Sequence, residues 1–133
     1  MEKYTLSVLV ENNAGVLSRV VGLFTRRGFN IHSLSVGTTL DEHISRITIE
    51  VKGDVYMVEQ VSKQLSKILE VIKIKTLKES EMVKRGLVLV KIKTSTKNRG
   101  EIIEVANVFR ANIVDISAVI CCERPSHKGI IIG

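Results

Sequence analysis

Residues 4–24 read YTLSVLVENNAGVLSRVVGLF, and the hydrophobic period changes within this stretch. Leu6, Val8 and Val10 occupy every second position, which predicts a β-strand with one buried face. The turn-forming residues 11–15 then end the strand. After them, apolar residues recur at the i, i+3, i+4 and i+7 positions that form one helix face. These positions hold Leu17, Val20, Val21 and Phe24. The stretch therefore predicts a strand followed directly by an amphipathic helix.

Both ends of this helix carry residues that suit helix termini. Asn12 or Asn13 can supply an N-cap oxygen at its start. Arg26 and Arg27 place positive charge at the negative end of the helix dipole, and Gly28 suits the C′ position that follows the last turn. We therefore expect a helix that is capped at both ends.

The chain from residue 30 to residue 77 continues with strand, strand, helix and strand patterns. Strands are predicted at 30–36, 47–51 and 71–77, and Asp54 is the expected N-cap of the second helix. The core face of that helix is predicted to hold Val58, Val61, Leu65 and Ile68. The resulting order β-α-β-β-α-β is that of the ferredoxin-like α+β fold. We expect a four-stranded antiparallel sheet with both helices on one face, and self-association is one common way to cover the other face.

A second, shorter unit follows this one. A strand is predicted at 87–94 and another at 112–117, and the helix between them has an apolar face. That face holds Ile102, Val105, Ala106 and Phe109. Residues 118–133 show no pattern of a further hairpin, helix or strand. The second unit is therefore predicted to be an incomplete βαβ unit.

These patterns predict two domains. The first covers residues 1–78, and a charged linker follows at 79–82. The partial second domain covers residues 83–133. A length of 133 residues suits one medium domain or two small ones, and the patterns favour two.

The composition, 44% hydrophobic and 26% charged residues, is that of an ordinary globular protein. No apolar run is long enough to span a bilayer, and the N-terminal residues do not resemble a signal peptide. We therefore expect a cytoplasmic protein without a membrane partner. The net charge of +6 makes nucleic acid a possible partner on electrostatic grounds. We favour the interpretation that lysines between apolar strand residues account for this charge, because solvated sheet faces normally carry them.

An RNA-binding module is one alternative function, because RRM domains share the β-α-β-β-α-β order. Those domains stack bases on aromatic residues of the sheet. The predicted third strand has no aromatic residue, and aromatics make up 4% of the chain. Phe24 and Phe109 fall on predicted helix core faces. The pattern therefore argues against nucleic acid as a partner.

An enzyme is a second alternative, in which Cys121 or Cys122 would be a nucleophile and His127 a base. Adjacent cysteines near a chain end give this no support, because cysteine reactivity needs a specific microenvironment. The two cysteines form neither a disulfide framework nor a CxxC motif, and the three histidines are scattered. We therefore expect no catalytic residues and no metal site on this chain.

The candidate binding site is the loop at residues 12–15, where the first helix begins. The first N–H groups of a helix lack intrahelical partners and attract an anion such as a carboxylate. Gly15 lets a ligand approach the backbone, and Asn12 offers a donor and an acceptor. A free α-amino acid supplies a carboxylate and an ammonium, and its aliphatic side chain would suit Leu9, Val16 or Leu17. A plain capped helix would show the same pattern.

Four stretches resemble the small regulatory subunits of acetolactate (acetohydroxyacid, AHAS) synthase. They are residues 6–20, 22–36, 45–49 and 83–93. The resemblance is dense from Tyr4 to Ser117, whereas residues 118–129 depart from the family pattern. It implies that the first domain is an ACT domain, and we expect amino-acid sensing to survive because that domain is complete. An ACT-type sensor for another enzyme is the remaining alternative, which the match in the second half disfavours.

The resemblance also implies a function. ACT domains of this family dimerise with their sheets side by side and bind branched-chain amino acids at the interface. The residues that match the helix-start loop are Asn12, Ala14, Gly15, Val16 and Leu17, and those that match the segment contacting effector from the partner chain are Asn30 and Ile31. The small subunit activates a large catalytic subunit and confers feedback inhibition by valine. Thiamine diphosphate, FAD and magnesium belong to that large subunit, so no cofactor is expected here.

Overall fold

A computed structural model describes residues 2–114 and 120–122. The chain divides into two compact units, Met1–Met82 and Val83–Gly133. None of the helices in the described part of the chain is long and apolar enough to cross a membrane.

The first unit has the element order that the sequence predicts. Its elements are β1 (Glu2–Glu11), α1 (Val16–Arg26), β2 (Ile31–Thr38), β3 (Ile44–Gly53), α2 (Val55–Leu65) and β4 (Val71–Leu77). The strands form one antiparallel sheet in the order β2-β3-β1-β4. The predicted ferredoxin-like α+β fold is therefore confirmed, and β2 and β4 are the edge strands.

The core of this unit lies between the helices and one face of the sheet. Leu6 pairs with Ile49 and Val8 with Ile47, so these four side chains share the face that the helices cover. The buried core consists of Leu6, Val8, Val10, Val16, Val20, Leu23, Phe24, Ile47, Ile49, Val51, Val58, Val61 and Leu65. The predicted core face of α2 is confirmed at three positions, while Ile68 lies beyond the helix end and is partly buried.

The buried face of α1 differs from the predicted one at two positions. Val16 and Leu23 are buried, whereas Leu17 is 41% exposed and Val21 is only partly buried. The true stripe runs through Val16, Val20, Leu23 and Phe24, a helical spacing that the sequence fits as well as the predicted one. Packing against the sheet decides between the two faces.

The C-terminal end of α1 forms a Schellman motif around Gly28. Gly28 has φ +68, its N–H donates to the Thr25 carbonyl at 3.2 Å, and the N–H of Phe29 donates to the Phe24 carbonyl at 3.0 Å. The predicted role of Gly28 at C′ is therefore confirmed. Glycine suits this position because a side chain would strain the left-handed backbone.

Asp54 caps α2 as predicted, since its Oδ1 accepts a hydrogen bond from the Met57 N–H at 2.8 Å. We expect Asp54→Ala to lower the free energy of unfolding by about 1 kcal/mol, because an orphan N–H of the first turn loses its acceptor. Asp54→Ser should retain most of the stability, since a serine hydroxyl also caps. Urea denaturation of both variants measures the difference, and an Asp54→Ala variant as stable as the unaltered chain would show that the cap contributes nothing.

The second unit contains β5 (Val88–Val90), α3 (Arg99–Val108), β6 (Ala111–Ile113) and β7 (Ile120–Cys122). A 3₁₀ turn at Glu79–Glu81 lies before it, within the predicted linker. The strand order is β5-β7-β6, with β7 antiparallel to both neighbours. The prediction of no further strand after residue 117 is wrong, because β7 lies in that segment. The residues of β7 belong to a continuous apolar run, in which apolar and polar residues do not alternate as they do in a half-buried strand.

The core of the second unit is small. Ala106 is buried, and Ile92, Ile102, Ala111 and Ile113 pack against it. Phe109 follows the last residue of α3 and is exposed, so its predicted place on a helix core face is wrong. Val105 is also exposed. The predicted strands shorten to three residues each at Val88–Val90 and Ala111–Ile113, and residues 115–117 lie outside the described part of the chain.

Candidate functional site

The helix-start loop, residues 12–15, joins β1 to α1. Its last residue, Gly15, has φ +84 and is the N-cap of α1. The prediction that Asn12 or Asn13 caps this helix is therefore wrong. Because glycine has no side chain, it supplies no cap to the N–H groups of Leu17 and Ser18, which lie in the first turn and have no partner within the helix. These two amides are suited to bind an anion.

Asn12 fixes this loop to the connection between β2 and β3. Its backbone N–H donates to the His43 carbonyl at 2.7 Å, and its Nδ2 donates to the Glu42 carbonyl at 2.9 Å. Both bonds use donors, so the Oδ1 atom of Asn12 is the group that can accept from a ligand. Asn13 instead folds back, and its Nδ2 donates to Glu11 Oε2 at 2.9 Å.

A guanidinium also lies beside Gly15. An ideal Cβ on Gly15 would lie 3.5 Å from Arg19 Nη1, and Arg19 Nη2 pairs with Glu70 Oε1. The Glu70 carbonyl in turn accepts from the Glu11 N–H at 2.9 Å. Arg19 was not among the predicted site residues. Its position four residues after Gly15 could have indicated it, because helical side chains point back toward the N-terminus.

The three apolar residues predicted near the ligand have different surroundings. Val16 is 2% exposed and belongs to the core, so only its backbone is available to a ligand. Leu9 points to the sheet face opposite the helices, because its neighbours Val8 and Val10 are buried beneath them. Leu17 is exposed next to the loop, so it is the residue of these three whose side chain can contact a ligand.

Asn30 and Ile31 lie at the other end of α1 from the helix-start loop. An α-helix of this length, 11 residues, spans about 16 Å. The strand pairing agrees, since Ile31 pairs with Val51 near one end of β3 and Glu11 pairs with Ile44 at the other. One chain alone therefore does not bring the two groups of predicted residues together.

The edge strand β2 carries exposed apolar residues. Leu34 pairs with Ile49 and Val36 with Ile47, so both lie on the face that the helices cover. Yet both are exposed, Val36 to 46%. Because α1 joins β1 to β2 and α2 joins β3 to β4, α1 covers the half of the sheet nearer β2. This edge therefore combines the backbone of an edge strand with an apolar strip.

The groups that the enzyme alternative requires are only partly described. Cys121 and Cys122 lie in β7, and His127 lies outside the described residues. Within residues 2–114 and 120–122, no three His, Cys, Asp or Glu side chains are grouped as ligands for a metal ion.

Both units match models of known families. Residues 6–73 match the AHAS small subunit-like ACT domain, and residues 85–121 match the small subunit of acetolactate synthase. The second match includes residues of β7 that lie beyond Ser117, where the resemblance in the sequence ends.

Related proteins are of the same family as these two models. The chain is 56% identical to a probable acetolactate synthase small subunit of Archaeoglobus fulgidus, covering 86% of this chain and 72% of that protein. It is 51% identical to the acetolactate synthase small subunit of Mycolicibacterium smegmatis, covering 86% of this chain and 67% of that protein.

Solved structures show the same fold. The crystal structure of the acetolactate synthase small subunit of Thermotoga maritima has a TM-score of 0.83 and 34% sequence identity, covering 98% of this chain and 79% of that chain. The ACT domain from GTP pyrophosphokinase of Chlorobium tepidum has a TM-score of 0.52 at 13% identity, covering 62% of this chain and 91% of that domain. This second likeness shows the fold alone.

Proposed function

Because this chain belongs to the family of acetolactate synthase small subunits, we propose that it is the regulatory subunit of that enzyme and binds a branched-chain amino acid. In this proposal it activates the large catalytic subunit, and bound valine, leucine or isoleucine mediates feedback inhibition. Thiamine diphosphate, FAD and magnesium belong to the large subunit. The observation that carries the proposal is the start of α1, where Gly15 leaves the amides of the first turn without a side-chain cap.

The groups around this helix start match an α-amino acid. The carboxylate would accept from the N–H groups of Leu17 and Ser18, at the positive end of the helix dipole. The ammonium would donate to Asn12 Oδ1, whose position is set by the bonds from Asn12 to His43 and Glu42. An aliphatic side chain would pack on Leu17. Ala14 and Val16 would contribute their backbone.

A homodimer would complete the site. If β2 pairs antiparallel with β2 of a second copy, the Ile31 end of one strand lies next to the Thr38 end of the other. Thr38 pairs with Ser45 at the end of the sheet where the helix-start loop lies. Asn30 and Ile31 of one copy would therefore approach Asn12 and Gly15 of the other. A two-fold axis gives two equivalent sites.

The same pairing explains the apolar strip on β2. Leu34 and Val36 would be buried against α1 of the second copy, and the two edge strands would hydrogen-bond to each other. A ligand between two copies favours one packing of the dimer over another. Such a preference can couple to the affinity for the large subunit, typically by about 1–3 kcal/mol.

Isothermal titration calorimetry of the full chain with valine tests this function, with leucine, isoleucine and lysine as comparators. We expect saturable binding of a branched-chain amino acid with one site per chain, and no binding of lysine. Asn12→Ala should weaken binding at least about tenfold, because the ammonium loses a charge-assisted hydrogen bond. Asn13→Ala is the matched control, since the amide of Asn13 bonds within the loop to Glu11.

The titration is repeated in the presence of the large subunit. If millimolar valine, leucine and isoleucine bind neither to the chain alone nor to the chain with the large subunit, and leave acetolactate formation unchanged, the proposed sensing function is wrong.

A further inference from the structure

We propose that Arg19 binds the carboxylate of the effector and that Glu70 opposes this binding by competing for the same guanidinium. This inference rests on the proposed effector site at the start of α1. In this proposal, the ion pair between Arg19 and Glu70 sets the affinity of the site for its effector. Arg19 would raise the affinity and Glu70 would lower it.

The position of Arg19 supports its part in this proposal. Arg19 Nη1 is 3.5 Å from the position of an ideal Cβ on Gly15, so the guanidinium lies beside the N-cap of α1. The backbone amides of Leu17 and Ser18 lie at that same helix end. A guanidinium has five N–H donors and binds carboxylates in a fork geometry. Arg19 is 51% exposed, so it can turn toward a ligand without breaking core contacts.

The position of Glu70 explains the competition. Glu70 precedes β4, and its backbone carbonyl accepts from the Glu11 N–H at 2.9 Å, which fixes it at the loop end of the sheet. Its side chain is 18% exposed and pairs with Arg19. A ligand carboxylate on the same guanidinium would come within a few ångströms of this second carboxylate, and two like charges at that distance repel each other.

The proposal predicts effects of opposite sign for the two residues. Arg19→Met should weaken valine binding by about threefold to fivefold, as expected for the loss of a partly exposed charge interaction. Glu70→Gln should tighten valine binding by a similar factor of about three, because it removes the competing charge and leaves the guanidinium available. High salt should reduce both effects, since it screens exposed charges.

The experiment measures the affinity of the full chain for valine and for valinamide, whose neutral amide replaces the carboxylate. Calorimetry serves for valine, and an NMR titration serves for the weaker ligand. Valine affinity should change in opposite directions in the two variants, while valinamide affinity stays within about twofold, since a neutral group does not interact strongly with either charge. Arg26→Met is the matched control, because Arg26 lies in the last turn of the same helix.

The outcomes separate this inference from the proposed function. If the unaltered chain binds valine and Arg19→Met binds it equally well, Arg19 is not part of the site. If both variants weaken valine and valinamide alike, the ion pair only supports the loop, and the inference is wrong. If the unaltered chain binds no branched-chain amino acid, the proposed function fails and this inference fails with it.

Discussion

Gly15→Asp is expected to abolish valine binding while the first unit stays folded. Gly15 has φ +84, where a side chain costs about 1–2 kcal/mol. That cost is tolerable for a folded unit and lower for Asp than for most residues. The new carboxylate would lie at the amides of α1 and near Arg19, where the ligand carboxylate should bind. Like charges in one binding site cost several kcal/mol, so the affinity should fall by at least about 100-fold.

Gly15→Asn separates this charge effect from backbone strain. Asparagine has the same size as aspartate and adopts the left-handed region readily, but it is uncharged. Valine calorimetry should therefore show a smaller loss for Gly15→Asn than for Gly15→Asp, and thermal denaturation should show similar midpoints for both. If Gly15→Asp leaves valine affinity within a few-fold of the original, the ligand does not bind at this helix start.

Local patterns were sufficient to predict most of the first unit. The alternation of Leu6, Val8 and Val10 identifies β1 because a strand with one buried face must alternate. Asp54 and Gly28 were predicted correctly at helix ends because their roles depend on backbone groups within a few residues. The fold of this unit follows from these nearby constraints together with the order of the elements.

The errors arose where distant residues decide the outcome. Asn12 does not cap α1 because its side chain bonds to Glu42, 30 residues away in sequence. β7 is a strand because it lies between β5 and β6, and its own residues show no alternation. Short-range periodicity contains no information about Glu42 as the partner of Asn12, or about β5 and β6 as the neighbours of β7.

In the candidate site, too, the sequence predicts local features but not contacts between distant residues. The helix-start loop could be predicted, since glycine and asparagine at a strand-to-helix turn indicate an exposed helix end. The ion pair between Arg19 and Glu70 could not, because the two residues are 51 positions apart. The side on which Leu9 lies depends on which face of β1 the helices cover. That Asn30 is distant from Asn12 within one chain follows only from the length of α1 and the pairing of the sheet.

Val36→Lys should separate the proposed dimer into monomers and remove valine binding with it. Val36 lies on the edge strand β2 and is 46% exposed on the helix-covered face. In the proposed dimer this side chain is buried against α1 of the second copy, so each lysine would bring an unpaired charge into an apolar contact. A charged residue on an edge strand also opposes strand pairing. Sedimentation should give the mass of one chain, 14.8 kDa, instead of twice that mass.

Ile72→Lys is the matched control, because it also replaces an exposed β-branched apolar residue with lysine, but on the opposite edge strand. Ile72 lies in β4 and is 53% exposed. It should leave both the mass and the valine affinity unchanged. If Ile72→Lys dissociates the dimer and Val36→Lys does not, the copies meet through β4. Asn30 and Ile31 would then lie far from the helix-start loop of the second copy, and the proposed site would consist of residues from a single chain.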